Sequence, residues 1–114
     1  MTKNPLLYIT HIFNAINSIQ TQTEGITKEQ FEDSELIQGF VERKLEIIGE
    51  ATKRIPDDFK KNYPNIPWKE MAGMRDILIH QYTEVDDDIV WKTISQKIPP
   101  LKKRIETILN DISS

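Results

Sequence analysis

The sequence predicts an all-α fold, a four- to five-helix up-and-down bundle, and three observations lead there. Apolar residues recur at steps of three and four along most of the chain, the period of a helix with one buried face. No segment alternates apolar and polar residues for long, and clusters of Thr, Val and Tyr are lacking, so nothing reads as a strand. The long amphipathic stretches are joined by short connections, which favours antiparallel neighbours.

Leu6, Leu7, Ile9, Ile12, Phe13, Ile16 and Ile19 set the period of a first helix from about Pro5 to Thr21, with proline in its first turn, where a missing N–H costs nothing. Glu24-Gly25-Ile26-Thr27 breaks it. Thr27 followed three residues later by Gln30 forms a capping box for a short connector helix to about Asp33. From Ser34 a long central helix carries Leu36, Ile37, Phe40, Val41, Leu45, Ile48 and Ala51 until Ile55-Pro56 stops it. Gly49 inside this helix points to a close approach by a neighbour, because glycine there costs about 1 kcal/mol against alanine. Residues 57–67, with Pro64, Pro67 and the anchors Phe59 and Tyr63, read as an ordered connection with one helical turn.

A third helix is expected from about Trp68 to His80, and a fourth from about Asp86, where aspartates suit the positive helix end. Pro99-Pro100 must kink or split that last helix before Leu101, Ile105, Ile108, Leu109 and Ile112 resume the period. At 114 residues the chain is expected to form a single domain, residues 1–114, since two cores of half the size would each bury too little surface.

Composition narrows the chemistry. Hydrophobic residues are 38% and charged residues 29% of the chain, a balance for a folded, water-soluble protein. Without cysteine, disulfides, thiolate nucleophiles and thiolate metal sites are excluded, and a cytoplasmic location is expected. The N-terminal residues do not read as a signal peptide, and no stretch is apolar enough to span a membrane. A net charge of -3 gives no global case for nucleic acid; basic runs at Lys53-Arg54, Lys60-Lys61 and Lys102-Lys103-Arg104 read first as solvated helix faces.

One segment carries chemistry. Met74-Arg75-Asp76-Ile77-Leu78-Ile79-His80-Gln81-Tyr82 places a permanent cation, an imidazole and a phenol within eight positions, groups that suit phosphodiester chemistry without a metal. On a helical wheel Asp76 and His80 share a face with Gly73 beside them, while Met71, Met74 and Leu78 point into the core. Arg75 and His80 fall about 140° apart, so only the long reach of Arg75, an end to the helix near His80, or a second copy of the chain brings them to one phosphate. Asp76 is placed to orient the imidazole and favour its protonated form. The plain alternative is an interhelix salt-bridge cluster.

Elsewhere the signals are weak. His11 has no clustered partner, and Glu46 with Glu50 lacks the Glu-x-x-His pattern of a carboxylate metal bundle. No phosphate loop, metal-spaced histidine pair or nucleophile elbow is present, so neither a metal nor another cofactor is expected.

Arg-x-x-x-x-His-x-Tyr, read from Arg75 through His80 to Tyr82, resembles the signature of HepT-like toxins in the HEPN superfamily. The likeness extends to Leu45-Glu46-Ile47-Ile48-Gly49-Glu50-Ala51, Ile66-Pro67-Trp68, Ala72-Gly73-Met74-Arg75-Asp76 and Val90-Trp91, in order and over nearly the whole chain. It departs at Lys44, where relatives often carry asparagine. The resemblance implies a HEPN-like bundle that dimerises and a metal-independent endoribonuclease with Arg75 and His80 as catalytic residues and Asp76 supporting them. It also implies the toxin role in a type VII toxin–antitoxin system, paired with an MntA-like nucleotidyltransferase that transfers AMP to Tyr82. The competing expectation is a non-catalytic HEPN module that binds a nucleotide or presents Tyr82 to a partner.

Overall fold

The structure, a computed structural model, describes the backbone of residues 4–80 and 87–113, and the side chains of these apart from residues 75–80 and 113. All regular secondary structure among the described residues is helical, in the order α1 (Pro5–Thr23), α2 (Lys28–Glu32), α3 (Glu35–Arg54), α4 (Asp57–Lys61), α5 (Trp68–His80), α6 (Asp87–Lys92), a π-helical segment (Thr93–Lys97) and α7 (Ile98–Ser113). The all-α expectation holds. Four long helical stretches carry the core, and α2 and α4 are the short connectors.

Helix α1 begins where Asn4 caps it, its side chain accepting from the Leu6 N–H at 3.0 Å, with Pro5 at the first helical position. It runs two residues beyond the predicted Thr21, because the Thr23 hydroxyl donates to the Ile19 carbonyl at 2.7 Å and is buried there. Gly25 then takes φ 76°, a left-handed turn that glycine adopts without steric cost. The capping box of α2 is complete: the Gln30 N–H donates to Thr27 Oγ1 at 3.1 Å, and the Thr27 N–H donates to Gln30 Oε1 at 2.9 Å.

Gln38 fastens this connector to α3, donating from Nε2 to the carbonyls of Phe31 at 2.8 Å and Glu32 at 2.7 Å. Helix α3 is capped by Ser34 and buries Val41, Leu45, Ile48, Gly49, Ala51 and Thr52. It is the centre of the bundle, with α1 and α5 making the most extensive packing against it and α7 lying on α1. Ile9, Ile12, Ile16, Ile19, Ile48, Ile98, Ile105 and Ile108 are fully enclosed, each contributing about 1.5–3 kcal/mol relative to an exposed side chain.

The last stretch resolves its two prolines in a specific way. Pro99 and Pro100 have no N–H, and the Pro99 ring would crowd the Ser95 carbonyl in an α-helix. The backbone widens instead into a π turn, in which the Ile98 N–H reaches five residues back to the Thr93 carbonyl. Both prolines then fall in the first turn of α7, where missing donors are tolerated. The predicted break is therefore a π segment three residues upstream of Leu101, with helix on both sides.

Candidate functional site

Helix α5 holds the predicted chemistry, and its start is tightly fixed. The Trp68 N–H bonds to the Ile66 carbonyl at 2.8 Å, the Met71 N–H to the Pro67 carbonyl at 3.0 Å, and the Trp68 indole N–H to the Tyr63 carbonyl at 3.0 Å. Ile66, Met71 and Met74 are buried, which orients one side of α5 to the core, as the wheel predicts for both methionines. Glu70 in the first turn pairs with Lys97 of the π segment. With its start held at three points, the direction in which α5 carries its later residues is set.

The backbone of α5 stays helical through His80, so Arg75, Asp76 and His80 stand on one helix. Asp76 and His80 are one turn apart on the same side, and the Arg75 and His80 positions diverge by about 140°. The helix thus places the Asp76 and His80 positions on one side and the Arg75 position on another. The side chains of Arg75, Asp76, Leu78 and His80, and all of Tyr82, lie outside the described residues.

On α3, facing the start of α6, stands an acidic group that sequence reasoning missed, Glu42. Burial, and then the charge of Asp87, push the Glu42 carboxyl above its usual pKa. Glu42 is one glutamate among several on the helix, and only its burial and the nearness of Asp87 distinguish it. The next residue is neutralised: Lys28 on α2 pairs with Asp88 and holds its carboxyl below the usual range by hydrogen bond and charge.

The weaker candidates have ordinary structural employment. His11 is exposed and lies edge-on to Tyr8, ring centroids 6.4 Å apart. Glu46 accepts from Arg43 at 3.1 Å, and no group of three His, Asp or Glu side chains able to hold a metal occurs among the described residues. Lys44, the departure from the family pattern, lies over the Phe40 ring at 5.3 Å, a cation–π contact one turn along α3. No helix among the described residues is long and apolar enough to cross a membrane.

Comparison with known proteins agrees with the motif. The family described as ribonuclease HepT-like matches residues 12–108. A "probable ribonuclease HepT" of Thermococcus cleftensis is 48% identical over 101 residues, covering 89% of this chain and 92% of its own. A "putative RNase" of Caldanaerobacter subterraneus subsp. tengcongensis is 44% identical over 108 residues, covering 94% and 96%. A "gamma-glutamylcyclotransferase and putative RNase" of Methanocaldococcus jannaschii is 41% identical over 112 residues; this chain spans 98% of itself but only 50% of that protein. No solved structure matches the chain. With the family match extending over nearly the whole helical bundle and across α5, the chain belongs to the ribonuclease HepT-like family.

Proposed function

We propose that the protein is a metal-independent endoribonuclease, the toxin of a type VII toxin–antitoxin pair, cleaving cellular RNA through Arg75 and His80. The observation that carries this reading is the Arg75, His80, Tyr82 motif on α5 of a chain in the ribonuclease HepT-like family. His80 removes the proton from a ribose 2′-hydroxyl or protonates the departing 5′-oxygen, Asp76 orients its imidazole, and Arg75 neutralises charge building on phosphorus. One histidine does not serve comfortably as both base and acid.

A homodimer supplies the second imidazole. The unbroken helix favours this arrangement, because the Arg75 and His80 positions of one chain lie about 140° apart around α5, whereas two chains facing each other can present both groups to one phosphate. Leu36 on α3, 84% exposed, and Leu7 on α1, 48% exposed, are apolar side chains available to a second subunit. An MntA-like nucleotidyltransferase is the partner antitoxin, and AMP placed on Tyr82 adds bulk and negative charge two positions from His80, where substrate phosphate binds. The complex works in the cytoplasm.

The test is RNA cleavage with EDTA present, by wild-type protein and by Arg75→Ala and His80→Ala variants whose helicity matches it. Both variants should lose cleavage; retention of wild-type cleavage by either rejects that residue's assignment. Intact mass after coexpression with the neighbouring transferase should rise in steps of one AMP and stay unmodified in Tyr82→Phe.

A further inference from the structure

We propose that the groove between the C-terminal half of α1 and the π segment holds a strand of RNA, reading one base at Trp91 and a backbone phosphate at Lys102. This rests on the ribonuclease reading and adds a substrate-holding surface outside the catalytic helix. The groove has a volume of about 580 Å³ and is lined by Asn17 and Gln20 from α1, by Glu24 just past its end, and by Trp91, Ser95 and Lys102 from the opposite wall, a volume in the range of ligand sites.

Its residue types match the parts of a nucleotide strand. Trp91 is half-buried, its ring held at 5.5 Å from Phe31, which fixes an aromatic surface on which a base can stack. Carboxamides are the side chains that read adenine edges in pairs of hydrogen bonds. Among the described residues, the amides of Asn17 and Gln20 and the ammonium of Lys102 have no hydrogen-bond or ion-pair partner, so these groups face the groove without an internal role there. Glu24 suits a base's amino group and repels phosphate, which sets polarity: base beside Trp91 and Glu24, phosphate beside Lys102. Trp91 stands on α6 and Lys102 on α7, and both line the groove, so base and phosphate are held by separate elements, as suits a strand.

The π turn adds an acceptor. The Ser95 carbonyl meets Pro99 four residues on and Pro100 five residues on, neither with an N–H, and the Ile98 N–H is given to Thr93. That carbonyl has no helical donor and belongs to a residue lining the groove. A ribose 2′-hydroxyl is a donor that RNA has and DNA lacks. Prolines account for the π turn itself; they do not account for the amides gathered opposite it or the lysine beside it.

Anisotropy of a fluorescent eight-nucleotide RNA, titrated with His80→Ala protein so that cleavage does not intervene, tests the proposal. Lys102→Ala should weaken binding about three- to tenfold and lower the salt slope by about one. Gln20→Ala should change the order of affinity among homopolymers, RNA should bind more tightly than the same DNA sequence, and Trp91 fluorescence should be quenched on binding. Affinities unchanged in both variants overturn the groove; equal RNA and DNA affinities overturn the 2′-hydroxyl contact; AMP binding as tightly as the oligonucleotide overturns the strand reading. Cleavage separates the two proposals. Wild-type protein that binds through the groove but never cuts RNA defeats only the nuclease reading, and wild-type protein that cuts RNA with the same KM as both groove variants defeats only the groove.

Discussion

The guanidinium of Arg104 on α7 donates through Nη1 to the carbonyl of Asn65, 39 residues earlier in the chain, at 2.9 Å. This bond ties the last helix to the loop from which α5 starts. Asp111, two turns further along the same helix, does the same for Tyr63, accepting its hydrogen bond; burial first, and then this carboxylate, hold the Tyr63 phenol above its usual pKa. The position of the helix bearing Arg75 and His80 is therefore set partly from the far end of the sequence.

Replacing Arg104 with alanine removes that tie and should cost about 1 kcal/mol, the net value of one solvent-accessible hydrogen bond. Urea denaturation should show a lower midpoint at unchanged slope. An unchanged midpoint means the contact contributes no stability.

Thr27→Ala should cost about 1 kcal/mol by removing the cap of α2. Gln30→Ala acts on the same reciprocal pair, so the double variant should lose less than the sum of the singles. Strict additivity in a double-mutant cycle argues that the two bonds form independently.

Phe31 is fully buried on a five-residue helix and packs, tilted by 40°, against the Trp91 ring. Phe31→Ala should destabilise the fold by about 3–5 kcal/mol through cavity formation, a large share of a total near 5–15 kcal/mol. Calorimetry should show Phe31→Leu losing much less. A loss below about 1 kcal/mol for the alanine variant contradicts the packing described.

Glu42 gives a pH prediction. Its carboxyl is raised above its ordinary 4.5 in the folded protein, so the fold binds that proton more tightly than the unfolded chain does. Stability linked to Glu42 is full below the unfolded pKa and is lost as pH rises through the folded one. Glu42→Gln should therefore raise the Tm at neutral pH, with the gap closing below pH 4.5. A glutamine variant less stable than wild type at pH 7 reverses the sign and rejects the cause given.

Helix positions were readable because their signals are local: Pro5, the Thr27 and Gln30 box, the renewed period from Ser34, and the stop at Ile55-Pro56 each settle a boundary within a few residues. The third helix begins at Trp68 and reaches His80 as its period predicts. Thr23 escaped because its buried bond to Ile19 is a choice between solvent and core that no local pattern records. The prolines announced a break, but only the competition between carbonyls Thr93, Ser95 and Gln96 for the remaining donors turned it into a π segment.

By itself the sequence determined an all-helical chain, its family, and the residues Arg75, Asp76, His80 and Tyr82 as the candidate site, because periodicity, caps and a spaced motif are properties of neighbours along the chain. Tertiary structure decided what meets across the bundle. It brought Asp87 near Glu42, Lys28 onto Asp88, Arg104 to Asn65, and Trp91 opposite Asn17 and Gln20. These partners are separated by dozens of residues, and their approach follows from how the apolar faces of α1, α3, α5 and α7 share one core, a global packing solution that no short stretch encodes.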